Sequence, residues 1–438
     1  MPKVTVIGAG SVEFTRGLLA DLLGMDDLGP LTIALHDIDP ERLETALAVA
    51  RWTSARTGAT ARGARVEAHA DRRAALDGAD YVVNAIQVGG YRATLIDFEV
   101  PKRYGLRQTI ADTIGVGGIF RGLRTIPVLL AIAEDMAELC PRALLLNYTN
   151  PMAMLPWAVQ EGSRFQNVVG LCHSVRDTHA LLARLVGVPL EEVRFVTAGF
   201  NHQAFVLTFQ HRDSGESLYP RLDHAIERDP ELRRKVRVEL YRRLGYFPTE
   251  SSEHAAEYLP WFLRHDDQVE RFRVPIDEYL RRSEANLDEH AETKRLLDAG
   301  QDLPDEPGRQ LELASEVIHS IQTGTPRLLY ANVRNDGLIS SLPDGCCVEV
   351  PCLVDRAGLQ PTAVGSLPPQ LAALNRSFLN VVELTVRAAL EQDRRHVYHA
   401  AMLDPNTAAT LTLDQIVQLC DDLIEAHGDA LPAGIRKP

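Results

Sequence analysis

The chain has 438 residues, 45% of them hydrophobic and 24% charged, the balance of a soluble globular protein with room for two or three domains. Its formal net charge of −14 excludes a general nucleic-acid or anionic-membrane binder, because either partner demands a positive field. Six cysteines in so long a chain are expected to be buried reduced thiols rather than disulfides.

The N-terminus enters the strand "KVTVIG" at once, leaving no room for a signal peptide, so a cytoplasmic protein is expected. No apolar run reaches the roughly 18 residues of a membrane span; "IPVLLAIAEDM" is short and ends in charges. The strand runs into "VIGAGSVEF", where Gly8, Gly10 and Ser11 form a strand-to-helix turn that lets a backbone approach a pyrophosphate. Glu13 stands where the dinucleotide fingerprint has its third glycine, a position that serves helix–strand packing rather than phosphate contact. Phe14, Leu18, Leu19, Leu22 and Leu23 then recur at helical spacing.

"LTIALHD" is a second strand, and Asp37 at its end is placed to bind ribose hydroxyls and to disfavour the extra phosphate of NADP, so NAD is the expected cofactor. "DPERLETALAVARWTSA" opens with an Asp-Pro helix start. "ARVEAHA", "ADYVVNAI" and "ALLLNYTNP" read as further strands, with "GLRTIPVLLAIAEDMAELC" as the helix before the last of them. The glycine-rich "ADTIGVGGIFRG" either closes over the nicotinamide end or merely connects two elements. Asn147 and Asn150 stand at the C-terminal end of a strand, where open parallel sheets bind ligands and where asparagines also serve as loop staples.

Past residue 151 the alternation ends. "NVVGLCHSV" reads as a strand followed by the helix "RDTHALLARLVG", and "EEVRFVTAGFNHQAFVLTF" as two strands meeting at Gly199 to Asn201. Cys172 and His202 each follow a strand-like run, so a thiolate and an imidazole could meet and suit a transition metal, although either alone is more often a core residue. From Asp213 to about Gln310 the chain is mostly charged helix; "RRKVRVELYRR" is read as a solvated helix face. "GYFPTESSEHAAEYLPWF" is dense in titratable groups beside aromatics, the composition of a substrate pocket or of a polar helix packed through Tyr258, Trp261 and Phe262. "CCVEVPC" lies in a strand-rich block, Arg327 to Val354, and reads as buried strand rather than a metal cluster; two helices close the chain.

These elements imply an α/β fold: a Rossmann-type parallel-sheet domain over residues 1–170, bearing NAD, and an α+β domain over 171–438, on the lactate/malate dehydrogenase-like two-domain plan.

The chain resembles glycoside hydrolase family 4, and within it the bacterial α-galactosidase (melibiase) branch, nearly end to end: "VIGAGSVEFTR", "IALHDIDPERL", "YGLRQTIADT", "LNYTNPMAM", "VGLCHSV", "GFNHQAF" and "LGYFPTESSEHAAEYLPWF". That family also lacks the third glycine, so Glu13 is no departure from it. The resemblance implies a glycosidase in which NAD⁺ takes hydride from carbon 3 of the sugar, a base removes the proton on carbon 2, the aglycone leaves by elimination, water adds, and the hydride returns. It implies a divalent ion, usually Mn²⁺, on Cys172 and His202, a tyrosine base matched by Tyr258 with His254 or Glu253 as alternatives, and Asn150 as a substrate contact. His173 occupies a position that is Asp in phosphate-specific members, where it either protonates the leaving oxygen or orients the sugar. An α-galactoside substrate and a homodimer or homotetramer are expected, with an α-glucoside or a uronide as the nearest alternative substrate. The rival of another class is a hydroxy-acid dehydrogenase using Arg124 to clamp a carboxylate; a non-catalytic NAD-binding sensor would need no metal pair.

Overall fold

The computed structural model describes residues 1–305 and 309–437, and of Val12 and Glu13 the backbone only, so the side chain at the third fingerprint position lies outside the described residues. One twelve-stranded sheet runs through the molecule. Its first six strands are β1 (Lys3–Ile7), β2 (Thr32–His36), β3 (Arg65–His69), β4 (Tyr81–Asn84), β5 (Leu144–Asn147) and β6 (Val168–Gly170), all parallel and ordered β3-β2-β1-β4-β5-β6. This is the doubly wound order of a Rossmann sheet. β2, β4 and β5 are buried along their whole length, which is why they read as unbroken apolar runs rather than alternating ones. β3 is the exposed edge, and its Arg65, Glu67 and His69 suit a strand with one side in water.

The sheet continues without a break into the second half. β7 (Val193–Phe200), β8 (Gln203–His211), β9 (Phe247–Pro248), β10 (Arg327–Arg334), β11 (Cys347–Asp355) and β12 (Gly358–Pro361) are all antiparallel to their neighbours, with β10 laid beside β6. A single lateral row crosses this junction: Asn147 pairs with Gly170, Gly170 with Asn332, Asn332 with Glu349, and Glu349 with Gly199. Cys346, Cys347 and Cys352 are all buried, the latter two within β11.

Three expectations need correction. The glycine-rich stretch is not a loop: the helix Gly115–Leu139 already begins inside it, and a Cβ on Gly118 would lie 2.6 Å from the Thr113 carbonyl carbon, so the glycine permits close packing of the segment before it. That helix is long and apolar enough to cross a membrane by length and composition alone, against the expectation that no such run existed. It is nonetheless a core helix, with 78% of its apolar window buried and the helices Met154–Gly162 and Pro369–Glu391 packed on it. Finally, among the described residues five helices rather than two close the chain, beginning with Pro369–Glu391. Asp393, Asp404 and Thr412 each accept a backbone N–H at a new helix start, and these caps divide what reads as a continuous helical pattern.

"RRKVRVELYRR" is only partly a solvated face. Arg233, Arg242 and Arg243 are exposed, but Val236, Val238, Leu240 and Tyr241 are buried, and the Arg237 guanidinium lies over the Phe247 ring.

Candidate active site

The first part of the site is a cleft at the C-terminal ends of the parallel strands. β1 stops at Ile7, and Gly8 turns the chain at φ +82°, where a Cβ would lie 2.8 Å from the Ala85 carbonyl carbon. The amides of Gly8 and Ala9 donate to the His36 carbonyl (2.9 and 3.0 Å), and the Gly10 amide donates to Asp37 Oδ2 (2.8 Å). Arg42 donates to the Gly10 carbonyl (3.0 Å), locking the turn from the following helix. Ser11 caps the helix Val12–Gly24 without a side-chain hydrogen bond, so the helix start offers backbone N–H groups to an anion.

Gly8, Gly10, Ser11, Asp37, Gly89 and Tyr279 are among the residues that line the resulting cavity of about 560 Å³. Tyr279 comes from the second half, on the helix Glu278–Asp298, which roofs the cleft. A pocket lined by a glycine turn, a helix start and the Asp37 carboxylate has the composition of a dinucleotide site.

The second part is a buried polar cluster. Cys172 stands two residues past β6, just before the helix Ser174–Val186. His202 lies in the tight β7–β8 turn at φ +64°, and Glu250, shortly after β9, has φ +67°. Both are non-glycine residues held in the left-handed region, a conformation that persists where the surroundings over-determine it. One ligand atom from each of Cys172, His202 and Glu250 lies within 4.8 Å of the others, and so do atoms of Asp112, His202 and His254.

Hydrogen bonds tie the rest of the site to this pair of groups. His202 Nδ1 shares hydrogen bonds with Tyr258 Oη (3.2 Å) and Thr113 Oγ1 (3.0 Å). Thr113 Oγ1 donates to Asp112 Oδ1 (2.8 Å), and Asn150 Nδ2 to Asp112 Oδ2 (2.7 Å). The loop carrying Asp112 is itself anchored, because the Glu257 carboxylate accepts the amides of Thr109, Ile110 and Ala111 at 2.8 to 3.0 Å.

The electrostatics follow from burial among charges. Burial works to raise Asp112, yet His254, whose Nε2 lies 3.6 Å from its Oδ1, together with Arg121 and His202, holds it below the usual carboxylate range. Glu250 is treated likewise, burial opposed by His202, His254 and Arg237, with the balance downward. Burial, then Asp112 and Glu257, push the Tyr258 phenol well above its ordinary value; burial, then Glu349 and Glu250, do the same to the Cys172 thiol. Behind the cluster, burial lifts Glu349 to about 7. A divalent cation between these groups would favour every anionic form at once. The donor set fits one: sulfur, imidazole and carboxylate converge, and the buried Asn150 Oδ1 and His254 Nε2 lack hydrogen-bond partners among the described residues.

The structure therefore brings Cys172, His202, Tyr258 and Asn150 into one connected group, and Gly8, Gly10, Ser11 and Asp37 into the cleft. His173 is not part of that hydrogen-bonded group; its Nε2 is 2.9 Å from Glu312 Oε2 and its ring packs on Tyr148. Asn147 is a staple, its amide bonded to the Thr149 carbonyl (2.8 Å). Arg124 cannot clamp a substrate carboxylate: it is buried, paired with Asp97, and donates Nε to the Val88 carbonyl (3.0 Å). Sequence reasoning missed Asp112, Thr113, Glu250 and Glu257. Asp112 was hidden at the front of the glycine-rich stretch, whereas Glu250 lay within a segment whose density of acids and histidines was itself the signal.

Fold and site together define a doubly wound α/β protein with a cleft at its glycine turn and a buried centre able to hold a divalent ion. The chain belongs to the family 4 glycosyl hydrolases: residues 3–188 match that family and residues 197–407 its C-terminal domain. It is 43% identical to an alpha-galactosidase of Bacillus subtilis (strain 168) over 99% of both chains. To an alpha-galactosidase of Rhizobium meliloti (strain 1021) it is 34% identical, over 98% of this chain and 89% of that one. Among solved structures, the 6-phospho-beta glucosidase of Thermotoga maritima with manganese, NAD+ and glucose-6-phosphate superposes with a TM-score of 0.82 at 20% identity, covering 98% of this chain and 99% of that one, a likeness of fold.

Proposed function

We infer that the protein is an α-galactosidase of the cytoplasm that works with bound NAD⁺ and Mn²⁺ on α-galactosides such as melibiose. The observation that carries this reading is the meeting of Cys172, His202 and Tyr258 in a chain 43% identical, end to end, to an alpha-galactosidase. Residues 1–170 act as the NAD-binding domain, and residues 171–438 carry the metal and sugar sites.

Gly8, Gly10 and Ser11 form the turn over which the pyrophosphate lies, received by the helix-start amides that follow Ser11, and Asp37 holds the adenosine ribose. Cys172 and His202 hold the divalent ion. When bound, NAD⁺ would supply a hydride acceptor for carbon 3 of the sugar, and the ion Lewis acidity at the oxygens on carbons 2 and 3.

Tyr258 removes the proton from carbon 2. Its phenol, pushed up by burial and by the Asp112 and Glu257 charges, becomes a usable base only when a cation offsets them, which makes proton abstraction depend on the loaded site. Asn150, oriented by its bond to Asp112, turns its partnerless Oδ1 to a sugar hydroxyl. His173, oriented by Glu312, takes the role of proton donor to the departing oxygen.

The reading is tested by hydrolysis of an α-galactoside in heavy water with NAD⁺ and Mn²⁺ present. Expected are deuterium at carbon 2 of the released galactose, loss of activity without either cofactor, and no net NADH. Sugar release that is cofactor-independent and free of exchange would sink it, and accumulating NADH would favour a dehydrogenase.

A further inference from the structure

We propose that Glu250 is a third protein ligand of the divalent ion, supplying the hard, negatively charged oxygen that Cys172 and His202 lack. This rests on the reading of Cys172 and His202 as the metal pair. Geometry is the first argument. Glu250 Oε2 lies 3.6 Å from His202 Nε2, and its Oε1 lies 3.7 Å from His254 Nδ1. Both separations exceed a normal hydrogen bond, so the carboxylate is near the imidazoles without bonding them. Two ligands about 2.0–2.2 Å from one ion, at angles between octahedral and tetrahedral, stand roughly 2.8–3.6 Å apart. The His202–Glu250 spacing is that of groups flanking an ion, and the Cys172 sulfur lies within 4.8 Å of both.

The backbone is the second argument. The tight two-residue β7–β8 turn itself calls for a positive φ at His202, but no hairpin turn accounts for Glu250, which is held at φ +67° at a cost that a non-glycine residue ordinarily avoids. Charge is the third. A thiolate and a carboxylate together neutralise a divalent ion in a buried site, whereas a thiolate alone would leave a net positive charge with little solvent to screen it. Ligand hardness is the fourth, since Mn²⁺ favours carboxylate oxygen and a lone soft thiolate is a poor match for it.

Asp112 and His254 form the other convergent set, but Asp112 already accepts hydrogen bonds from Asn150 and Thr113. They are better suited to support than to ligation. His254, bonded to Ser251 Oγ at 3.1 Å, stands beside Glu250 and limits the directions its carboxylate can take.

The test is metal binding without sugar. Metal-free enzyme with NAD⁺ is titrated with Mn²⁺, following the free aquo ion by electron paramagnetic resonance, and in parallel with Cd²⁺, a softer ion. Glu250→Gln is expected to weaken Mn²⁺ at least about tenfold while weakening Cd²⁺ far less, because the thiolate and imidazole remain. Glu250→Asp should recover part of the Mn²⁺ affinity. Unchanged Mn²⁺ binding with a raised KM would overturn the proposal and make Glu250 a sugar contact; equal loss of both ions would overturn it by showing a purely structural role. The parent reading fails separately: if the unaltered enzyme takes up no Mn²⁺, or Cys172→Ser binds it undiminished, the metal pair itself is wrong.

Discussion

At the scale of single residues, chemistry here depends on what surrounds each group rather than on its type. Cys172 and Tyr258 are both poor anions where they stand, because burial comes first and nearby carboxylates add to it. In the proposed function a single cation reverses both, so the site is assembled in a form that is inactive until loaded. Cys172→Ser is therefore expected to abolish metal-dependent hydrolysis, by about a hundredfold or more in kcat/KM given the loss of a direct ligand, while NAD⁺ still binds with its original affinity. Parallel activity assays and fluorescence titration with NADH would check both halves. An unaffected rate would remove Cys172 from the site.

At the scale of elements, the two halves of the site are delivered by different local devices. The cleft is built by a strand, a glycine turn and a helix start, all contiguous in sequence. The metal-capable cluster is built by three chain segments that meet only in the folded state: the end of β6, the β7–β8 turn and the residues before the helix Ser252–Glu257. The helix Ser174–Val186, which opens just after Cys172, is held to β7 by His179, whose Nε2 is 2.7 Å from Thr197 Oγ1 and whose ring stacks on Phe195. Burial pushes His179 down to about 3, so the native imidazole stays neutral while the unfolded one protonates below about pH 6.5. Its contribution to stability is complete above that pH and is lost as the pH falls toward the native value, at about 1.4 kcal/mol per pH unit. Urea unfolding at roughly pH 7 and pH 5.5 should show this acid slope, and His179→Gln, which can still bond Thr197, should flatten it by about that amount.

At the scale of the whole molecule, one sheet joins the parallel strands of the first half to the antiparallel strands of the second, so the two parts of the site share a continuous backbone platform. A buried ion group ties the periphery to it. Asp97 pairs with Arg124 and lies 2.9 Å from His427 Nε2 on the helix Leu413–His427, while Arg124 holds the Val88 carbonyl of the cleft wall. Removing the carboxylate would strand the Arg124 charge in the interior. Asp97→Asn is expected to cost roughly 3–5 kcal/mol in unfolding free energy and to loosen NAD⁺ binding through the Val88 segment. Denaturation and cofactor titration of the purified variant would check both, and a stability loss below about 1 kcal/mol would mean that the group is solvated or compensated.

Much of this was legible in the residues alone. The parallel sheet of the first half follows from apolar runs alternating with helical periods, although its strand order does not, and Gly8, Gly10 and Asp37 advertise a dinucleotide cleft because turn geometry is a local property. The cluster was legible only in part. Cys172 and His202 could be paired as strand ends, but their partners come from residues 112, 250 and 254, distant in sequence, and no local pattern encodes the closure of so long a loop. Composition likewise left open the carboxylate clamp that the rival reading needs at Arg124, since whether a cation faces a ligand or a buried Asp97 is decided by packing. The sequence by itself determined the class of sheet and the cofactor turn, where periodicity and turn chemistry act over a few residues. Only the tertiary structure decided which side chains share the buried centre and what charge each carries there, because desolvation and Coulomb terms depend on neighbours that folding alone brings together.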